Sequence, residues 1–208
     1  MPKGCVTSLN NLPLVVLIGD SIRMGYQDHV VSQLAGRAEV WAPEPNGGDS
    51  RNVLAHLDQW ALGCQPDLVH VNCGLHDLKR AFGAESEVPL AEYERNVRQI
   101  LQRLQRELDG AVVWASTTPV DENWHHQNKG FDRLEADVEA YNAAASAVAA
   151  DLGVPIDDLF AVVERGGKAR LLTQDGVHFT VEGSQLLGRV VAECVWGHLG
   201  ERDAFPSG

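Results

Sequence analysis

Basic residues are scarce in this chain. Seventeen Lys and Arg stand against 29 Asp and Glu over 208 residues, a formal net charge of −12 at pH 7. That balance argues against nucleic acid or an anionic membrane surface as partner, because both attract basic proteins and repel acidic ones. The acidity is spread along the chain, as on a solvated surface, rather than blocked into a tail. Long apolar runs are absent too: nothing approaches the roughly 20 residues that a membrane-spanning helix needs. Cys5, Cys64, Cys73 and Cys194 form no C-x-x-C pair and no metal-ligand spacing. Cys73 lies in an apolar strand and Cys194 on an apolar helix stripe, where the thiol acts as a small hydrophobe. The apolar stretch Leu12 to Ile18 is short and lacks the small-residue cleavage pattern of a leader. A cytoplasmic protein is the expectation. Gly47-Gly48 is too short for a phosphate-cradling loop and no Lys-Ser/Thr follows it, so no nucleotide is implied. No cofactor and no metal are expected.

What is present fits one α/β domain over residues 1–208, 44% hydrophobic and long enough to bury a substantial core. Apolar runs alternate with amphipathic stretches, the pattern of a parallel sheet covered on both faces. Strands are expected at about 13–19, 38–42, 67–73, 111–117 and 153–156, and helices at about 23–35, 50–62, 90–108, 133–152 and 181–199. Tyr93, Val97, Ile100, Leu101 and Leu104 fall at helical spacing, and Gly153 is a helix stop. Two connections are longer than joining their neighbours requires. One runs from Gly74 to Pro89, the other from Thr118 to Phe131 with Trp124-His125-His126 inside it. Both follow strand carboxyl ends, where substrate contacts concentrate.

The same rim carries a candidate nucleophile. Val15-Val16-Leu17-Ile18 runs into Gly19-Asp20-Ser21, which places Ser21 at the carboxyl end of the first strand, beside the crevice where open α/β sheets bind ligands. A serine hydroxyl needs a base to take its proton, and the base needs a partner to hold its tautomer. Asp175 and His178, three residues apart, supply both. Alone, Ser21 reads equally well as a helix N-cap, and Asp175 and His178 as turn residues.

Four blocks together resemble the SGNH (GDSL) hydrolases. Gly19-Asp20-Ser21-Ile22 matches the first block, Asn46-Gly47-Gly48-Asp49-Ser50 the second, Gly74-Leu75-His76-Asp77 the third, and Asp175-Gly176-Val177-His178-Phe179 the last. The blocks fall in the family's order across nearly the whole chain. The resemblance implies a flavodoxin-like three-layer α/β/α sandwich on a parallel five-stranded sheet. It implies that Ser21 is the nucleophile, His178 the general base and Asp175 its orienting carboxylate. It also implies an oxyanion hole of the Ser21 and Gly48 backbone amides, with a third donor from the position of His76. The family has asparagine there. A neutral imidazole keeps one N–H to donate, whereas a protonated His76 would oppose the charge that His178 acquires. Asp77, next in sequence, is a candidate to fix the tautomer of His76.

The expected activity is hydrolysis of short acyl esters, O-acetyl foremost, on a small-molecule or carbohydrate alcohol. Acyl transfer to another acceptor, or thioester cleavage, would use the same covalent intermediate. A carbohydrate-binding module on an inactive scaffold is the reading from a different class. Arg23, two residues past Ser21, is expected to pair with a carboxylate such as Asp49, the alternative being an anionic or sugar ligand. Trp124, His125 and His126 are expected on an exposed loop, the alternative being that they shape the acyl or alcohol pocket. No partner at ligand spacing makes the two histidines a metal site.

Overall fold

Leu14–Ile18 forms β1 with every side chain buried, as β-branched and leucine side chains on a doubly covered strand must be. The structure is a computed structural model and describes residues 12–200. After β1 come α1 (Ser21–Gln33), β2 (Glu39–Trp41), α2 (Ser50–Trp60), a single 3-10 turn (Leu62–Cys64) and β3 (Leu68–Val71). Then follow α3 (Leu90–Glu107), β4 (Ala111–Ala115), α4 (Glu122–Asn128), α5 (Glu135–Asp151), β5 (Ile156–Asp157), α6 (Leu159–Gly166), α7 (Lys168–Leu171) and α8 (Val181–Gly200). The strands form one parallel sheet in the order β2-β1-β3-β4-β5. Helices α1 and α8 pack together against one face; α2, α3 and α5 cover the other. This is a three-layer α/β/α fold.

The strand order reverses between β1 and β3, so the loops after these strands diverge and leave a crevice at their carboxyl ends. Ser21 follows β1 there and the Gly74–Asp77 turn follows β3. Among the described residues no helix is long and apolar enough to cross a membrane.

The last strand is shorter and later than the expected 153–156. Val154 N–H still returns to Ala149 O at 2.8 Å, closing α5, and only Ile156 and Asp157 pair with Trp114 and Ala115. Helix α5 starts at Glu135 rather than at 133. Three short helices, α4, α6 and α7, occupy stretches where no helix was expected. Cys73 and Cys194 are free thiols, and Cys73 is buried just beyond β3. Cys5 lies outside the described residues.

Candidate active site

The turn out of β1 separates two jobs that one residue could have held. Asp20 is the N-cap of α1, its carboxylate accepting the Ile22 N–H at 2.9 Å. Ser21 therefore begins the helix without capping it. Its Oγ lies 2.9 Å from His178 Nε2, and its N–H, in the first helical turn, has no intrahelical acceptor. His178 Nδ1 in turn lies 2.5 Å from Asp175 Oδ2. Ser21, His178 and Asp175 thus form one hydrogen-bonded chain from residues 157 positions apart.

The Asp175 side chain is fixed by more than His178. Oδ1 accepts from the Thr173 hydroxyl at 2.8 Å, the His178 amide at 2.9 Å and the Val177 amide at 3.1 Å. Lys129 Nζ stands 3.5 Å from Oδ2. Partial burial pushes this carboxyl up, but the hydrogen bonds outweigh it and hold the group well below the usual carboxylate range. It is an anion at any working pH.

Behind it stands α4, within the connection expected as an exposed loop. Asp121 caps α4 through the Trp124 N–H at 2.9 Å and donates its own N–H to Gly176 O at 2.8 Å. His125 is fully buried, with Nδ1 3.1 Å from the Asp175 carbonyl. A carbonyl only accepts, so Nδ1 carries the proton. Burial holds the His125 pKa below its ordinary value, although the Asp175 contact pulls the other way. His125 is thus a neutral strut under the Asp175-Gly176 turn, while His126 is exposed, with Nδ1 2.7 Å from Asp132 Oδ1.

The second block approaches the first closely. Gly47 N–H donates to Gly19 O at 3.0 Å, and a Cβ on Gly47 would lie 2.6 Å from that oxygen, so only glycine fits. Gly48, at φ +65°, donates its amide to Asn46 Oδ1 at 2.9 Å. His76 is half-buried and makes no hydrogen bond among the described residues. Burial lowers its pKa; Asp20 opposes this, and the charges of Arg133 and Lys79 reinforce it. The ring is neutral at pH 7 and keeps one N–H to donate.

Two expected contacts do not form. Asp77 turns away from His76 and is fully buried, its oxygens 2.9 and 3.1 Å from the Ser50 N–H. The first turn of α2 lacks intrahelical partners for its amides, and the Asp77 carboxyl supplies one. Arg23 does not reach Asp49, which instead caps α2 through the Asn52 N–H at 2.9 Å. Arg23 is 3% exposed, and its terminal nitrogens are spent on Gln27 Oε1 at 2.5 Å, Pro45 O at 3.1 Å and Gly19 O at 3.4 Å. It staples the first two blocks together.

A sequence model of the GDSL-like Lipase/Acylhydrolase family matches residues 17–186, which hold all four blocks. The chain belongs to that family. Its reaction class is therefore carboxylic ester hydrolysis. A human protein named isoamyl acetate-hydrolyzing esterase 1 homolog is 25% identical over 212 residues, covering 88% of this chain and 81% of that protein. Among solved structures, a lipase/acylhydrolase from Enterococcus faecalis superposes with a TM-score of 0.76 at 22% identity, covering 89% of this chain and 96% of the other. An acetylxylan esterase from Geobacillus stearothermophilus does so with a TM-score of 0.69 at 19% identity, covering 93% and 95%. At these identities the solved structures show a shared fold.

Within this GDSL-like domain, sequence reasoning missed His125 as a support, Asp121 as its cap, and Arg133. Asp121 had a readable signal, an Asp before Glu-Asn-Trp at the head of a short helix. The other two are set by tertiary contact and left no local trace.

Proposed function

We propose that this protein is a serine esterase that removes short acyl groups, acetyl foremost, from a polar alcohol through an acyl-enzyme on Ser21. The hydrogen-bonded chain Ser21–His178–Asp175 carries the reading. Ser21 Oγ–H donates to the bare Nε2 of a neutral His178 whose Nδ1–H points to Asp175. Oγ attacks the ester carbonyl as Nε2 takes its proton, and Asp175 stabilises the imidazolium that forms. The proton then passes to the departing alkoxide. Water attacks the acyl-enzyme by the same route in reverse, and Ser21 is restored.

The oxyanion collects donors from three turns. The Ser21 amide stands at the positive end of α1. The Gly48 amide exchanges Asn46 Oδ1 for the substrate oxygen, and the His76 ring offers its uncommitted N–H. Preorganised donors of this kind act on charge that exists only in the transition state. Neutral His76 donates without opposing the imidazolium of His178, so the replacement of asparagine by histidine keeps three arms.

The acetyl preference is supported by the names of two relatives, one for isoamyl acetate and one for acetylxylan. A serine-directed fluorophosphonate should label Ser21 in the parent and leave Ser21→Ala unlabelled, and acetyl should exceed octanoyl in a series of aryl esters. Loss of the nucleophile leaves only binding and oxyanion stabilisation. An alanine variant that hydrolyses a small aryl ester at the parent rate refutes the mechanism.

A further inference from the structure

Most cations of known partner in this acidic chain meet carboxylates: Arg51 meets Glu92, Arg80 meets Asp137, and Lys168 meets Glu135. Arg133 and Lys79 do not. Arg133 is 7% exposed, and its Nε donates to Leu75 O at 2.6 Å, one residue before His76. That is its single hydrogen bond among the described residues. Its guanidinium lies 5.1 Å from the Phe131 ring centre, and Lys79 Nζ lies 4.5 Å from the same centre. The Phe131 ring packs edge-on against His125 at 5.1 Å, and His125 holds the Asp175 carbonyl. Two unpaired cations therefore sit on one ring, between the loop that carries His76 and the turn that carries Asp175.

A guanidinium stays charged and owns five N–H donors. The terminal nitrogens of Arg133, unlike the sealed and unpartnered Nε atoms of Arg23 and Arg80, keep contact with solvent, so an anion can reach them. Asp20 and Asp175 act on Arg133 only from a distance, and burial outweighs both in lowering its pKa. With Nε engaged on Leu75, the two terminal nitrogens remain as a planar fork, the geometry that matches both oxygens of a carboxylate.

We infer that Arg133, seconded by Lys79, forms a carboxylate-binding subsite beside the triad, and that the preferred substrate is a short acyl ester of a hydroxy acid or acidic sugar. The inference rests on the esterase reading above. A short acyl group leaves no room for the anion on the acyl side, so the carboxylate belongs to the alcohol.

The test compares kcat/KM for 3-acetoxybenzoate and 3-acetoxybenzamide in the parent, Arg133→Gln and Arg133→Lys. The benzoate-to-benzamide ratio should fall about tenfold to a hundredfold in Arg133→Gln, the scale of a charge-assisted hydrogen bond. Arg133→Lys should fall between, and added salt should erode the parent's preference. A ratio unmoved by either substitution, even with both rates lowered, makes Arg133 a packing residue and overturns the inference. Should Arg133→Gln fail to fold, the parent alone decides. Benzoate should inhibit its hydrolysis of phenyl acetate about tenfold more tightly than benzamide does, and equal inhibition overturns the subsite. A parent that cleaves phenyl acetate without distinguishing the anions loses the subsite alone. A parent that cleaves no ester and takes no fluorophosphonate label loses the esterase reading and the subsite with it.

Discussion

Asp77 tests the frame behind the site through its protonation. The carboxyl is fully buried, and burial drives its pKa up; the Ser50 hydroxyl and amide pull it back, Asp49 adds to the rise, and it settles at about 7 against an ordinary 3.8. In the unfolded chain Asp77 ionises at about pH 4. In the fold it holds its proton to about pH 7, so the folded state binds more protons within that window and stability falls as pH rises through it. At 1.36 kcal/mol per unit, the full penalty above the window is about 4 kcal/mol. Between pH 8 and pH 5 the protein regains about 3 kcal/mol of it, because at pH 5 the unfolded carboxyl is largely ionised while the folded one is not. Asp77→Asn keeps the shape and one oxygen acceptor for the Ser50 amide but never ionises. Urea unfolding followed by tryptophan fluorescence at pH 5, 6, 7 and 8 gives both stability curves. Every other titrating group is common to the two proteins and cancels in their difference. The variant should gain about 3 kcal/mol relative to the parent on going from pH 5 to pH 8. Curves that stay parallel to within about 0.5 kcal/mol mean that Asp77 is ionised throughout, and the reasoning fails.

His76→Ala should cut kcat by about 10²–10³ with KM nearly unchanged, the loss of one oxyanion donor, and His76→Asn should recover a good part of it. A loss below about threefold in the alanine variant reassigns His76 to loop packing. Because burial lowers its pKa, the ring should titrate by NMR with a midpoint below the ordinary 6.5 of histidine; a midpoint above that value overturns the neutral donor. His125→Phe fills the same space but leaves the Asp175 carbonyl without its donor. It should cost about 1–3 kcal/mol in urea unfolding and lower kcat through the loosened Asp175 turn. An unchanged midpoint with unchanged kcat removes His125 from the support of the triad.

What the sequence made legible follows from the range of the forces involved. β1, β3, β4 and the helices α3, α5 and α8 are long enough for their apolar patterns to mark them, and three of the four family blocks adjoin β1, β3 and α8. The short helices escaped because their stability comes from caps and contacts more than from a periodic face. α4 exists because Asp121 caps it and its backbone meets Gly176, some fifty residues away in the chain. α6 carries a local signal in Asp158, which accepts the Ala161 N–H at 3.1 Å, and in Gly167 at its far end. Arg23 and Asp77 were placed on the wrong partners for a shared reason. Each satisfies backbone groups exposed where a strand gives way to a helix, and charge pairing along the sequence does not reveal such needs.

The blocks hold their positions through backbone amides, which bears on our proposal that His76 donates where the family has asparagine. Gly47 N–H on Gly19 O fixes the second block to the first. The Ser50 amide on Asp77 fixes the second to the third. Arg80 and Asp132 exchange backbone hydrogen bonds at 3.0 and 2.8 Å and join the two long rim connections. Asp121 N–H on Gly176 O ties the second of these to the last block. None of these bonds uses the side chain at position 76. On the proposed reading of His76 as a donor, histidine there inherits a backbone already positioned, and the strand ends and their ties keep its address. The same ties carry Arg133 to Leu75, which makes the charge beside His76 a property of the frame.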